Sequence, residues 1–255
     1  MADHAMLRAM KRETVLALNA LNQAFYASVA PEFSETRRTA WPGFARTYEL
    51  AGQPTRVLDV GAGDGRFGAW LQQHASPAPR EYLGLDASQR LLSFARAREL
   101  GAAFRFEQRD FISDDSALPA GPFDLVVLLG VLHHVPSFVA RAQLLERLSQ
   151  LLAAGGSLAL TFWRLDRDPR FRRRLRSFAD YNAHAAQRIP EEDLEPGDHL
   201  LGWGHDHDGP PRYCHFPGAD ETEALIAAAR WPVHARFHAD GRGGALNEYV
   251  LVRRP

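Results

Sequence analysis

Short Val/Leu-rich runs alternate with amphipathic segments between Arg56 and Phe162, and this alternation restricts the fold more than any other feature of the chain. The runs Arg56–Val60, Glu81–Leu85, Phe104–Gln108, Leu125–Leu129 and Ser157–Phe162 read as strands, and Arg66–His74, Ser88–Leu100 and Phe138–Leu152 carry apolar residues at helical spacing. Repeated βα units with strands apolar on both faces demand a parallel sheet covered by helices on both sides. A last helix over Ala219–Ala229 and strands at His234–His238 and Glu248–Val252 complete seven strands.

Upstream, Leu7, Met10, Val15, Leu18, Leu21, Phe25 and Val29 predict a helix that Pro31 interrupts, with a second short helix after Pro42. Downstream of Phe162 the alternation stops for about fifty residues, giving way to an Arg-rich stretch and then a Gly/Pro/His-rich one from Pro190 to Gly218. A loop of that length in a compact domain is functional or disordered. A length of 255 residues, 45% hydrophobic and 24% charged, suits one domain with elaborations. Its expected parts are a helical cap (1–50), a cofactor-binding core (51–162), an insertion or lid (163–218) and a C-terminal helix with strands (219–255). No apolar run approaches bilayer length and no signal-peptide pattern opens the chain, so a cytoplasmic location and no membrane partner are expected. Cys214, the single cysteine, excludes an internal disulfide and a Cys-rich zinc site, and no metal is expected.

The chemistry concentrates at Val57-Leu58-Asp59-Val60-Gly61-Ala62-Gly63-Asp64-Gly65-Arg66-Phe67-Gly68, a strand running into a glycine-rich turn that opens a helix. Gly63, Gly65 and Gly68 satisfy the dinucleotide spacing, with Asp86 at a distance suited to a ribose. A pyrophosphate, however, wants amide donors without nearby anions, and Asp59 and Asp64 flank the turn. Two carboxylates suit S-adenosylmethionine better, since it has no phosphate and carries an ammonium and a sulfonium. Asp59 would attract the ammonium, Asp86 would accept the ribose hydroxyls, and Asp110 with Phe111 would offer the adenine a polar group and a ring face.

These strand-end acids in order resemble the class I S-adenosylmethionine-dependent methyltransferases over roughly residues 20 to 252. The resemblance implies a doubly wound, Rossmann-like α/β sheet of order 3-2-1-4-5-7-6 with strand 7 antiparallel, a helical N-terminal cap and an insertion after strand 5. It also implies S-adenosylmethionine contacts from Arg37, Asp59, Gly61, Gly63, Asp86, Ala87, Asp110, Phe111 and Leu129. Four segments, Phe25 to Pro42, Val131-Leu132-His133-His134, Gly197-Asp198 with Trp203, and Arg212-Tyr213-Cys214-His215, resemble the enzymes that esterify 5-carboxymethyluridine at the tRNA wobble position. The C-terminal Gly243-Gly244-Ala245-Leu246-Asn247-Glu248 departs from that family's aromatic-rich ending.

A carboxylate is already ionised at neutral pH, so esterifying it needs orientation rather than a general base. His133, Arg212, Tyr213 and His215 are the candidates for the transfer site, with Arg212 and at most one neighbour expected to face it. Arg37 can hold the cofactor's carboxylate or pair with Glu35. Arg164 to Arg176 holds seven arginines and two aspartates, a local +5 in a chain of net charge −1. That stretch can contact tRNA phosphates or form a solvated helix face. The run His205-Asp206-His207-Asp208 looks metal-like but sits between glycines and is not assigned a metal. Relatives also imply a small zinc-binding activating subunit. The expected function is methylation of a carboxylate on a tRNA wobble uridine or related acceptor. Alternatives are a small-metabolite methyltransferase and a non-catalytic cofactor-binding partner subunit.

Overall fold

The computed structural model describes residues 10–36, 39–114, 118–164, 169–203 and 209–255. Two helices come first, α1 (Arg12–Glu35) and α2 (Gly43–Leu50), followed by β1 (Arg56–Val60), α3 (Arg66–His74), β2 (Glu81–Asp86), α4 (Gln89–Arg96), β3 (Phe104–Gln108), β4 (Phe123–Leu128), α5 (Phe138–Gln150) and β5 (Leu152–Trp163). The segment after β5 forms α6 (Pro169–Arg172), β6 (Leu175–Arg176), α7 (Phe178–His184), β7 (Asp198–Leu201) and β8 (Arg212–His215). The chain then closes with α8 (Ala219–Ala228), β9 (Val233–Ala239) and β10 (Asn247–Arg253).

Seven strands form one sheet in the order β3-β2-β1-β4-β5-β10-β9. The first five run parallel, and β10 lies antiparallel to both β5 and β9. Successive residues of a strand point to opposite faces, and both faces are apolar here. Leu58, Val60, Leu83, Leu85, Val126, Leu128, Leu158 and Leu160 pack with Leu144, Leu145 and Leu148 of α5 and Leu225 of α8. Val57, Tyr82, Leu125, Val127, Ala159 and Leu251 pack with Phe44 and Tyr48 of α2 and Phe67 and Leu71 of α3. Among the described residues, no helix is long and apolar enough to cross a membrane.

Three expectations need correction. Pro31 does not interrupt α1, which continues to Glu35. Proline lacks the amide that would bond the carbonyl of Ala27, and Nη1 of Arg90 on α4 donates to that carbonyl instead, at 2.8 Å. The region after Phe162 is not simply a long loop, because β6, β7 and β8 make a separate antiparallel sheet. That sheet orders itself against α1, where Leu200 and Tyr213 pack with Val15 and Leu18. Finally, β5 begins at Leu152 rather than Ser157, with an irregular register against β4 near Phe123 and Leu125.

Candidate active site

Two adjoining cavities open at the carboxyl end of the parallel strands, sharing Tyr26, Trp41, Arg66 and Gly130 as common walls. Asp59, Gly61, Gly63, Asp86, Ala87, Phe111 and Leu129 all line the first. Gly61 follows β1 at φ +81°, and a Cβ there would lie 2.2 Å from Cγ2 of Val131. Only glycine meets both demands. At Gly63, φ +58°, the amide donates to Oδ2 of Asp86 at 2.8 Å, while the Ser88 amide donates to its Oδ1 at 2.8 Å. Each oxygen of Asp86 thus keeps a lone pair for a ligand hydroxyl.

Burial pushes the Asp86 carboxyl up to about 6, against the pull of the two amides. Asp59 is 3% exposed and accepts the Tyr82 hydroxyl at 2.5 Å. Burial, partly offset by that hydrogen bond and reinforced by Asp86, raises Asp59 to about 7. A cavity with two buried acids, both made reluctant to ionise, favours a ligand that brings positive charge and hydroxyl donors. S-adenosylmethionine fits that description.

Other sequence-predicted groups are placed differently. Asp64 is not a free anion, because Nη2 of Arg98 bonds its Oδ2 at 2.6 Å and the Ser34 hydroxyl donates to the same oxygen at 3.1 Å. The negative field therefore comes from Asp59 and Asp86. Asp110 anchors α1 rather than offering itself to an adenine. It accepts Asn19 Nδ2 at 3.0 Å, Gln23 Nε2 at 2.8 Å and the amides of Ile112 and Ser113. Burial alone would raise its carboxyl, but hydrogen bonds from Ser113, Asn19 and Ile112 hold it below the usual range. Arg37 and the run His205 to Asp208 lie outside the described residues.

The second cavity, about 610 Å³, is lined by His133 and Arg212 together with Trp41, Trp163, Phe171 and Trp203. Arg212 is 3% exposed, and its guanidinium carbon lies 4.9 Å from the Phe25 ring centroid, 5.3 Å from Trp203 and 5.6 Å from Trp163. The cation is held by ring faces, and its Nε and Nη1 are buried donors with no acceptor among the described residues.

Tyr213 and His215 do not share that cavity. Strand alternation carries them to the other side of β8, where the Tyr213 hydroxyl donates to Asp198 Oδ1 at 2.7 Å. His215 lies between Asp198 at 2.7 Å and Glu221 at 2.9 Å. Arg141, 1% exposed, closes the cluster by donating to Glu195 and Glu221, both at 2.7 Å. This network ties α5, α8 and the insertion together and holds both residues away from the second cavity. Burial opposes protonation of His215, but Asp198 and Glu221 prevail and raise its pKa.

Sequence reasoning offered His133 and His134 to the transfer site with one of them in packing, and missed Tyr26 and Arg66 as site walls; His134 lines the first cavity. A signal for Tyr26 existed, since Asn19, Asn22, Gln23 and Tyr26 recur at helical spacing as polar groups on an otherwise apolar face, and all four line the first cavity. For Arg66 the signal was its place directly after the glycine turn. It spans both cavities over the Trp41 ring, 4.6 Å from the centroid.

Residues 58–158 match the family described as a methyltransferase domain. The tRNA (carboxymethyluridine(34)-5-O)-methyltransferase alkbh8 of Xenopus tropicalis is 28% identical over 145 residues, covering 56% of this chain and 21% of that protein. The trans-aconitate 2-methyltransferase of Methylobacterium nodulans is 40% identical over 107 residues, covering 42% of this chain and 38% of that protein. The chain therefore spans between about a fifth and two fifths of the length of these relatives. Among solved structures, the magnesium protoporphyrin IX methyltransferase of Synechocystis PCC 6803, with bound S-adenosylmethionine, superposes with a TM-score of 0.56 at 15% identity, over 93% of this chain and 97% of that one. That likeness shows the fold.

Proposed function

We propose that this chain, in which residues 58–158 match a methyltransferase domain and which is similar to tRNA wobble-uridine enzymes, uses S-adenosylmethionine to methylate the carboxylate of an acceptor seated in the second cavity. The observation that carries the proposal is Arg212, a buried cation with two unpartnered donors. Such a charge costs several kcal/mol to bury unless a counter-ion arrives, and a carboxylate brings both the opposite charge and acceptor oxygens.

When bound, S-adenosylmethionine would supply an electrophilic methyl on a sulfonium whose leaving group is a neutral thioether. Asp59 and Asp86 would hold the cofactor's ammonium and ribose, and Gly61 and Gly63 would let the backbone approach it. Arg212 orients the acceptor carboxylate, and the aromatic walls around it exclude water. No proton needs to move, so a general base is not required of His133.

The names of two relatives, one a carboxymethyluridine methyltransferase of tRNA and the other a trans-aconitate methyltransferase, both indicate carboxyl-bearing acceptors. We favour the wobble uridine because two segments outside the cofactor core, Phe25 to Pro42 and Arg212-Tyr213-Cys214-His215, resemble that family. A small polycarboxylate is the second reading, favoured by the net charge of −1. The test is transfer of labelled methyl from S-adenosylmethionine to tRNA bearing 5-carboxymethyluridine and, in parallel, to small di- and tricarboxylates. Alkali-labile label on one of these acceptors is expected, as for an ester. Alkali-stable label, or none on either, overturns the carboxylate reading.

A further inference from the structure

Among the described residues that line the second cavity, Arg66, Arg174 and Arg212 face a single acid, Asp240. Asp240 is 2% exposed and held by three donors: its Oδ1 accepts the Gly43 amide at 3.0 Å, and its Oδ2 accepts Asn247 Nδ2 and the Tyr249 hydroxyl, both at 2.7 Å. Burial lowers the pKa of Arg66, and Asp64, Tyr249 and Asp240 oppose that shift, so its charge is met inside the protein. Arg174 and Arg212 differ from it. Neither forms an ion pair with a described residue.

Both remaining cations are rooted on the small sheet. Arg212 pairs with Leu201, and Leu201 pairs with Leu175. Arg174, the residue before Leu175, therefore starts about two strand spacings, roughly 10 Å, from Arg212. Each guanidinium rests against a ring of the cavity wall. Arg174 lies 5.9 Å from the Phe171 centroid and Arg212 lies 5.6 Å from that of Trp163, and these two rings meet edge-on at 5.4 Å. Ring faces attract a cation but supply no counter-charge, and two like charges bordering one cavity repel each other until anions enter it.

We propose that Arg174 is a specificity-determining residue that binds a second anionic group of the acceptor, a phosphate or a further carboxylate, while Arg212 takes the carboxylate that is methylated. The proposal rests on the carboxylate reading of this cavity and deepens it. An acceptor with one carboxylate leaves one of the two cations unmet, whereas an acceptor with a second anion satisfies both.

Calorimetric titration of the intact chain, with S-adenosylhomocysteine present, compares probes in pairs that differ in the second anion: 5-carboxymethyluridine 5′-monophosphate against 5-carboxymethyluridine, and trans-aconitate against crotonate. Wild type should bind the polyanion of one pair roughly five- to tenfold more tightly than its monoanion. The pair that shows this preference identifies the second group as phosphate or carboxylate. Arg174→Gln should abolish the preference and leave the monoanion bound nearly as in wild type, and Arg174→Lys, which keeps the charge, should retain most of it. Both substitutions leave in place the Arg174 carbonyl, which accepts the Gly202 amide at 2.9 Å, and an unchanged melting transition checks that the variants fold. Equal affinity for monoanion and polyanion in wild type overturns the proposal alone. A preference that survives in Arg174→Gln overturns it too, as does an equal loss of both probes, which would put Arg174 on the same carboxylate as Arg212. If wild type binds none of the four probes, the carboxylate reading of the cavity fails and the proposal falls with it.

Discussion

Asp59 and Asp86 carry protons to higher pH than acids in an unfolded chain, and this sets the sign of their pH effects. The unfolded carboxyls ionise near pH 4, whereas burial holds Asp59 to about 7 and Asp86 to about 6. Between those values these two acids bind more protons in the folded protein than in the unfolded one, so their contribution to the stability of the ligand-free chain should fall as pH rises from about 4 to 7. The ligand's ammonium, which S-adenosylhomocysteine also carries, favours ionised Asp59. The rise in melting temperature produced by S-adenosylhomocysteine should therefore be larger at about pH 8 than at about pH 5.5, and Asp59→Asn should flatten the difference. A thermal shift independent of pH in wild type would remove the ammonium from Asp59. Arg212 makes a second case at this scale. Burying its charge costs several kcal/mol, and its three ring contacts, at about 0.5–2 kcal/mol each, return at most a similar amount. Arg212→Met should consequently melt at or above wild type, bind S-adenosylhomocysteine normally and lose turnover. A variant that melts lower and still turns over would make Arg212 structural.

At the scale of elements, α1 acts as more than a cap. One of its faces places Asn19, Asn22, Gln23 and Tyr26 on the cofactor cavity, and its apolar residues meet the insertion through Leu18 and Tyr213. The helix passes Pro31 because Arg90 satisfies the carbonyl of Ala27. Arg90→Ala should lower stability by about 1 kcal/mol, the scale of one lost hydrogen bond at an exposed site. Pro31→Ala restores the helical amide donor, so Arg90→Ala should cost less in that background. Urea unfolding of the four proteins in a double-mutant cycle measures this coupling. Additive effects would mean that the Arg90 contact does not compensate for the proline.

Across the whole molecule, the arginine-rich stretch divides into inward and outward members. Arg164 bonds Glu248 of β10 and is largely covered, and Arg174 lines the second cavity. Arg172 and Arg173 are exposed, so any contact with tRNA phosphates falls to them more than to Arg164. If they serve that role, Arg172→Gln with Arg173→Gln should weaken tRNA binding and make the slope of log affinity against log salt shallower by roughly one to two. An unchanged slope would leave this segment as a solvated helix end and move the small polycarboxylate ahead as acceptor.

The sheet, its two apolar faces, the glycine turn and the acids at the strand ends were all legible in the sequence by itself, because strand alternation and βα succession are set by neighbouring residues. Tertiary structure alone decided what those acids and the downstream motif do. Asp64 became the partner of Arg98, and Asp110 became an anchor for α1. Of Arg212, Tyr213 and His215, only Arg212 reached the cavity. The order found after Phe162 also escaped the sequence, since β8 pairs with β7 across residues that show no helical or strand periodicity of their own. Tyr26 and His134 are 108 positions apart, and no local pattern reports a hydrogen bond between them. Such pairings follow from which surfaces α1, the core sheet and the insertion bury against one another, a choice made by the summed apolar contact of whole elements rather than by any single residue.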